Sequence, residues 1–187
     1  LSEKEIIQGC QKGKEACQKA LVEQYSPLLL TVCRGFFRDE AQAKDILQEA
    51  LIKILLNIKK YKDTGSFVGW MRRITVNTAL KAIRKKDIIR EAVELEEVNG
   101  PARTPDALSK LGEEEILRLI AQLPQDQQIV FTLYVVEGYS HKEIGEHLGI
   151  TASTSRSYLT RARQKLQQFF LKNNDVEKGR SVQAVRG

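Results

Sequence analysis

The sequence predicts an all-α protein of two small helical domains joined by an acidic linker, the C-terminal one a helix-turn-helix. Three observations carry this. Apolar residues recur at three- and four-residue spacing along most of the 187 residues. One stretch, "REAVELEEVNGPARTPDALSKLGEEE", is instead acid-rich, holds Asn-Gly-Pro and Thr-Pro, and shows weak periodicity. After it come a short capped segment, a glycine turn and a longer basic helix in close succession. The boundaries drawn from this pattern are 1–86 for the first domain, 87–112 for the linker, 113–172 for the second domain and 173–187 for a disordered tail.

Composition sets the outer limits. With 42% hydrophobic and 29% charged residues, the chain suits a soluble, core-forming protein. A net charge of +6 and a pI of about 9.2 make an anionic partner plausible. Cys10, Cys17 and Cys33 form no Cys-x-x-Cys pair, and neither His141 nor His147 has a cysteine near it in sequence. Reduced thiols and ordinary histidines are therefore expected, with no metal and no cofactor. Cysteine usage fits a cytoplasmic protein. No run is long enough to span a membrane and no signal-peptide pattern is present. The chain opens on Leu1 rather than methionine, as a trimmed chain would. There is no phosphate-binding glycine loop, metal-ligand cluster or Ser/His/Asp arrangement, so no enzyme activity is expected.

Taken in order, the first helix opens on a capping box, Ser2 with Glu5, and Leu1 and Ile6 are spaced as a hydrophobic staple. From about Ala41 to Ile58, Ala43, Ile46, Leu47, Ala50, Leu51, Ile54, Leu55 and Ile58 make the apolar side of a five-turn helix. "YKDTGSFVG" breaks the pattern as a loop, and a second strong helix runs from about Phe67 to Lys86. Beyond the linker, Pro124 is placed to open a helix carrying Ile129, Val130, Leu133 and Val136, which Gly138 can end.

In "YSHKEIGEHLGITASTSRSYLTRARQKL", Ser140 and Glu143 form a second capping box, Ile144 and Leu148 face the core, and Gly149 suits a left-handed turn. Ile150 points inward, and Thr151 caps the next helix. Gly145 is unfavourable inside a helix, which points to a close crossing of the two helices there. On the second helix Leu159, Ala162, Leu166 and Phe169 or Phe170 form the buried stripe. Ser153, Ser157, Thr160, Arg161 and Gln164 lie opposite, with Arg156 on the flank. Small hydroxyls beside arginines suit a helix that enters the major groove, where Arg reads guanine edges or clamps phosphate. A solvated packing helix is the alternative.

The stretches "DEAQAKDILQEALIKILLNIKKY" and "GSFVGWMRRITVNTALKAIRKK" closely resemble region 2 of bacterial sigma factors of the extracytoplasmic-function group. "LPQDQQIVFTLYVVEGYSHKEIGEHLGITASTSRSYLTRARQKL" resembles their region 4, and the two come in the right order around the acidic linker. The resemblance implies a protein that binds core RNA polymerase, recognises promoter DNA as duplex and as melted strand, and helps to open it. An anti-sigma factor is a further partner of such proteins. Arg156, Ser157, Thr160 and Arg161 fall on the family's minus-thirty-five contact positions. Asn77 falls on a minus-ten position, and the loop from Lys62 to Val68 on the segment that builds the pocket for a flipped base. The face formed by Asp45, Gln48, Glu49 and Ile52 corresponds to the surface that docks on the polymerase clamp. The linker acids Glu91, Glu94, Glu96 and Glu97 would disfavour nonspecific DNA contact.

Within this frame the central helix acquires a purpose. Arg73, Asn77, Lys81 and Arg84 lie within about an 80° arc, so one amide is set into a basic stripe. Cations hold a strand backbone but carry little sequence information. An amide, with donor and acceptor together, distinguishes the edge of an extruded base. The other readings of Asn77 are an internal hydrogen bond or a solvated side chain. Trp70, which shares a core-like spacing with Ile74, is open to stacking on a base or to burial, and Phe67 lies near enough to the loop to be a DNA contact. The recognition helix departs from the commonest family pattern, which has Gly at Ser153, Val at Ser155, Arg at Tyr158 and an aromatic at Thr160. Lys81 also stands where a polar or acidic residue is frequent. The promoter preference is therefore this chain's own. The rival function is a stand-alone helix-turn-helix regulator.

Overall fold

The structure is a computed structural model that describes residues 1–62, 64–85 and 112–184, with backbone alone at 85, 113 and 172–184. The linker acids Glu91, Glu94, Glu96 and Glu97 lie outside the described residues. Among the described residues every regular element is helical. The chain divides into two units, residues 1–90 and 91–187.

In the first unit, α1 (Glu3–Gln11) starts at Ser2, whose hydroxyl accepts from Glu5 N while the Glu5 carboxylate accepts from Ser2 N at 2.7 Å. The staple is not made: Ile6 is fully buried but Leu1 is 70% exposed. The box alone fixes the entry, and Ile6 is already covered by the core. Gly9 brings α1 against α2 (Glu15–Arg34), because a Cβ there would collide with the sulfur of Cys17. Pro27 sits inside α2 on its exposed side, so the carbonyl one turn back that its missing N–H leaves free faces water rather than core.

Asp39 caps α3 (Glu40–Asn57) through Ala41 N at 2.9 Å, and Ala43, Ile46, Leu47, Ala50, Leu51 and Ile54 make its buried side. A 3-10 turn, Ile58–Lys60, ends it, and α4 (Phe67–Lys85) follows. α2, α3 and α4 pack on one another, with Leu21, Leu29, Ile54, Met71, Val76, Leu80 and Ile83 at the centre. Thr75 and Thr78 are buried in this core, and their hydroxyls donate to the Met71 and Ile74 carbonyls one turn back, so neither is unsatisfied. The three cysteines are free and buried; burial pushes the Cys33 thiol up to about 12, which leaves it unreactive.

The second unit contains α5 (Glu113–Ile120), α6 (Gln125–Phe131), a π-helical stretch (Thr132–Val136), α7 (His141–Leu148) and α8 (Ala152–Ala184). Pro124 stands at the cap position of α6 and Gly138, at φ 75°, follows the π stretch. Ile129, Val130 and Leu133 are buried as the spacing requires, but Val136 is 49% exposed. The wider π turn accounts for this, since it advances the later side chains out of a 3.6-residue register. Ser140 and Glu143 form the second capping box, Gly149 is left-handed at φ 71°, and Thr151 accepts from Thr154 N at 3.0 Å. Ile150 is only half-buried.

Gly145 is required for a different reason from the one the sequence suggests. A Cβ there would lie 2.6 Å from the Ile150 carbonyl oxygen, so the constraint is the turn folding back over α7 rather than a crossing of the two helices. The same carbonyl-and-amide neighbourhood is bonded: Gly149 N and Ile150 N both donate to Gly145 O. α8 continues to Ala184, through most of the segment that lacks apolar periodicity. Periodicity reports burial, whereas a helical backbone needs only its own hydrogen bonds and freedom from proline.

Candidate nucleic-acid interface

On α4 the buried side chains Met71, Val76, Ala79, Leu80 and Ile83 leave one strip facing outward. Arg73, Asn77, Lys81 and Arg84 are all exposed on it. Asn77 makes no side-chain hydrogen bond among the described residues, which removes the internal-bond reading and leaves its donor and acceptor available. A strip of cations with one amide can bind a phosphate backbone along its length and test a base edge at a single place.

Phe67 is not part of this surface. It is 1% exposed, edge-on to Tyr25 at 5.7 Å and to Tyr61 at 5.0 Å. As the first residue of α4 its ring fills the space beside α2 and the turn at Tyr61, so it supports the loop from inside instead of contacting DNA. Trp70 stacks on Phe67 at 5.8 Å with 16° between the planes and remains half-buried, at the edge of this aromatic cluster. Tyr61 OH donates to Gly65 O at 2.6 Å, and Gln11 Nε2 donates to the Ile58 and Tyr61 carbonyls at 3.3 Å. The start of the loop is thereby tied to α1.

On α8, Arg156 and Gln164 are exposed, and Ser153, Thr160 and Arg161 are half-buried. Ser157 departs from its assignment, being only 8% exposed. Its two-atom side chain reaches less far than those of Thr160 and Arg161 one turn along, so it lies at the floor of the face and not at its rim. Tyr158 is a core residue: burial first, and then the Asp126 carboxylate that accepts its hydroxyl, raise its pKa. Leu159, Ala162 and Leu166 are buried as the spacing requires, while Phe169 and Phe170 are half-buried.

On α3, Asp45, Gln48, Glu49 and Ile52 are all exposed along one face. The face continues to Leu56, 74% exposed and one turn beyond Ile52, itself 58% exposed. Leu56 was legible in principle as the next i, i+4 step from Ile52. Lys53 bridges the helices: its Nζ bonds Glu49 at 2.6 Å and donates to Thr78 Oγ1 at 3.3 Å, beside Asn77. No spacing rule points to that contact, because it joins residues 25 apart. Among the described residues no group of acids, cysteines and histidines could hold a metal, and no helix is long and apolar enough to cross a membrane.

The chain thus carries two outward faces with cations on them, one on a core-packed helix and one on a helix-turn-helix. The family model for Sigma-70 region 2 matches residues 21–88, and that for Sigma-70, region 4 matches residues 113–166, together well over half of the chain. The chain belongs to the sigma-70 family. Several of the relatives it matches carry the name ECF RNA polymerase sigma factor. The chain is 30% identical over 160 residues to the ECF RNA polymerase sigma factor SigE of Mycolicibacterium smegmatis, covering 82% of this chain and 62% of that protein. It is 26% identical over 180 residues to the RNA polymerase sigma-H factor of Pseudomonas aeruginosa, covering 89% and 92%. Among solved structures, the sigma factor RpoE in its complex with the anti-sigma factor NepR from Bartonella quintana aligns with a TM-score of 0.49 at 20% identity, over 81% of this chain and 95% of that one.

Proposed function

We propose that this chain is an alternative sigma factor that works in the cytoplasm by binding core RNA polymerase, recognising two promoter elements and helping to open the DNA. The observation that carries the reading is Asn77, an exposed and unpartnered amide among the exposed cations Arg73, Lys81 and Arg84. The α3 face, Asp45 to Ile52 and on to Leu56, docks on the polymerase; its mixture of acid, amide and apolar groups suits a protein interface. α8 enters the major groove of the minus-thirty-five duplex, with Arg156 and Arg161 on base edges or phosphates and Ser153, Ser157 and Thr160 allowing close approach. α4 holds the melted minus-ten strand by its backbone while Asn77 tests an extruded base, with the loop that leads into α4 forming the base pocket. No covalent chemistry is involved: binding free energy drives strand opening. An anti-sigma factor that covers these faces would silence them.

Run-off transcription tests this directly, with core polymerase and a fragmented genomic library from the source bacterium. Discrete transcripts that need both polymerase and this chain are the expected result, and aligned upstream sequences then give the two elements. Absence of transcripts together with tight duplex binding by the chain alone would replace the reading with that of a stand-alone regulator.

A further inference from the structure

We propose that His141 is a positioning residue for the recognition helix: one hydrogen bond to the buried Ser155 hydroxyl and one ring stack on Tyr134 fix the roll of α8 where it presents Arg156. The proposal rests on the reading of α8 as the helix that meets duplex DNA.

Ser155 is completely buried, and a buried hydroxyl without a partner costs free energy. Its partner is His141 Nδ1 at 2.9 Å. His141 is the first residue of α7 and Ser155 the fourth of α8, so this bond ties the start of one helix to the first turn of the next, across the glycine turn. A face of the same imidazole lies on Tyr134 of the π stretch, with ring centroids 4.3 Å apart and planes 18° from parallel. Three elements therefore meet at one ring. Ile144, Leu148, Leu159 and Ala162 hold α7 against α8 by apolar burial, which is non-directional and tolerates a small roll. The hydrogen bond is directional and selects one roll. Arg156 follows Ser155 in the same rigid helix, so whatever turns Ser155 away from His141 swings Arg156 by the same angle.

The charge state suits this task. Burial first, and then the cations of Arg156 and Arg163, push the His141 pKa below 6.5, which keeps the ring neutral at pH 7. In the commoner tautomer Nε2 carries the hydrogen and Nδ1 offers its lone pair, and the Ser155 hydroxyl rotates to donate to it.

The test uses the full chain with core polymerase, on the strongest promoter obtained by run-off and on the same promoter with its minus-thirty-five element scrambled. His141→Phe keeps a flat ring for Tyr134 but removes the acceptor, and Ser155→Ala removes the donor. Each should cut the advantage conferred by the intact upstream element about fivefold, the size of one hydrogen bond. The double variant should do no worse than either, and His141→Asn, which keeps an acceptor near the Nδ1 position, should retain most of the advantage. Nitrogen NMR of His141 should show a neutral ring with Nδ1 unprotonated at pH 7. Equal loss on both promoters, additive losses in the double variant, or a proton on Nδ1 would each overturn the proposal. Arg156→Ala separates the two levels. If it leaves the upstream advantage intact, the reading of α8 fails; if it abolishes the advantage while His141→Phe and Ser155→Ala do not, the positioning role alone fails.

Discussion

α4 and α8 carry the two candidate nucleic-acid faces, and they are held in place by different means. α4 is fixed by apolar side chains on the faces turned to α2 and α3, while Arg73, Asn77 and Lys81 of its basic stripe are exposed. On α8 the polar face and the packing interpenetrate: Ser155, Ser157 and Tyr158 are buried directly beside the exposed Arg156. The difference teaches where function can be separated from stability. On α4 a surface residue can be removed without touching the core, whereas on α8 a change near the DNA face also disturbs how the helix is seated.

The largest effect should come from the turn that seats α8. Gly145→Val puts side-chain atoms where the Ile150 carbonyl oxygen lies, and overpacking of this kind costs about 1–3 kcal/mol. Residue-resolved hydrogen exchange should show α7 and the start of α8 losing protection while α4 keeps its own; unchanged protection in α7 would break the comparison. Asn77→Ala comes next. It should lower discrimination at the minus-ten base about tenfold, as loss of an amide-to-base pair does, with stability changed by less than about 0.5 kcal/mol. Competition between promoters differing at that base, alongside thermal unfolding, reads both quantities.

A finer contrast lies in salt. Lys81→Ala should reduce the slope of log affinity against log salt by about 0.7 on single-stranded minus-ten DNA, and Arg156→Ala by about 0.9 on duplex, the values for one phosphate contact on each form. Slopes that move on the wrong template would exchange the two roles. The smallest effect concerns pH. His141 has its pKa below 6.5 in the folded chain, so the neutral ring's contribution to the second unit is complete above 6.5 and is lost as pH falls toward the folded pKa. Denaturant midpoints should drift down slightly from pH 7 to pH 5, and His141→Phe should remove that drift.

Much of this was written in local sequence. The two capping boxes, the core side of α3 and the exposed Arg73–Arg84 stripe follow from spacing alone, because period 3.6 ties sequence directly to a helix face. What the spacing could not convey was contact between distant residues. Phe67 follows a loop in sequence, but its burial depends on Tyr25, a residue of another helix. Ser157 faces the right way by rotation and is nevertheless covered, since a helical wheel records direction and not depth. Gly145 signalled a close approach correctly, and only the fold shows that the neighbour is the Ile150 carbonyl. The His141–Ser155 bond was hidden for the same reason: a buried serine shows its need for a partner only once its burial is known.

The most direct test of the central claim is binding by polymerase reconstituted with the native chain, Asn77→Ala or Arg156→Ala, measured separately on a single-stranded minus-ten oligonucleotide and on a minus-thirty-five duplex from a run-off promoter. Asn77→Ala should weaken only the first and Arg156→Ala only the second. Equal losses on both templates for either variant would contradict the division of labour between α4 and α8.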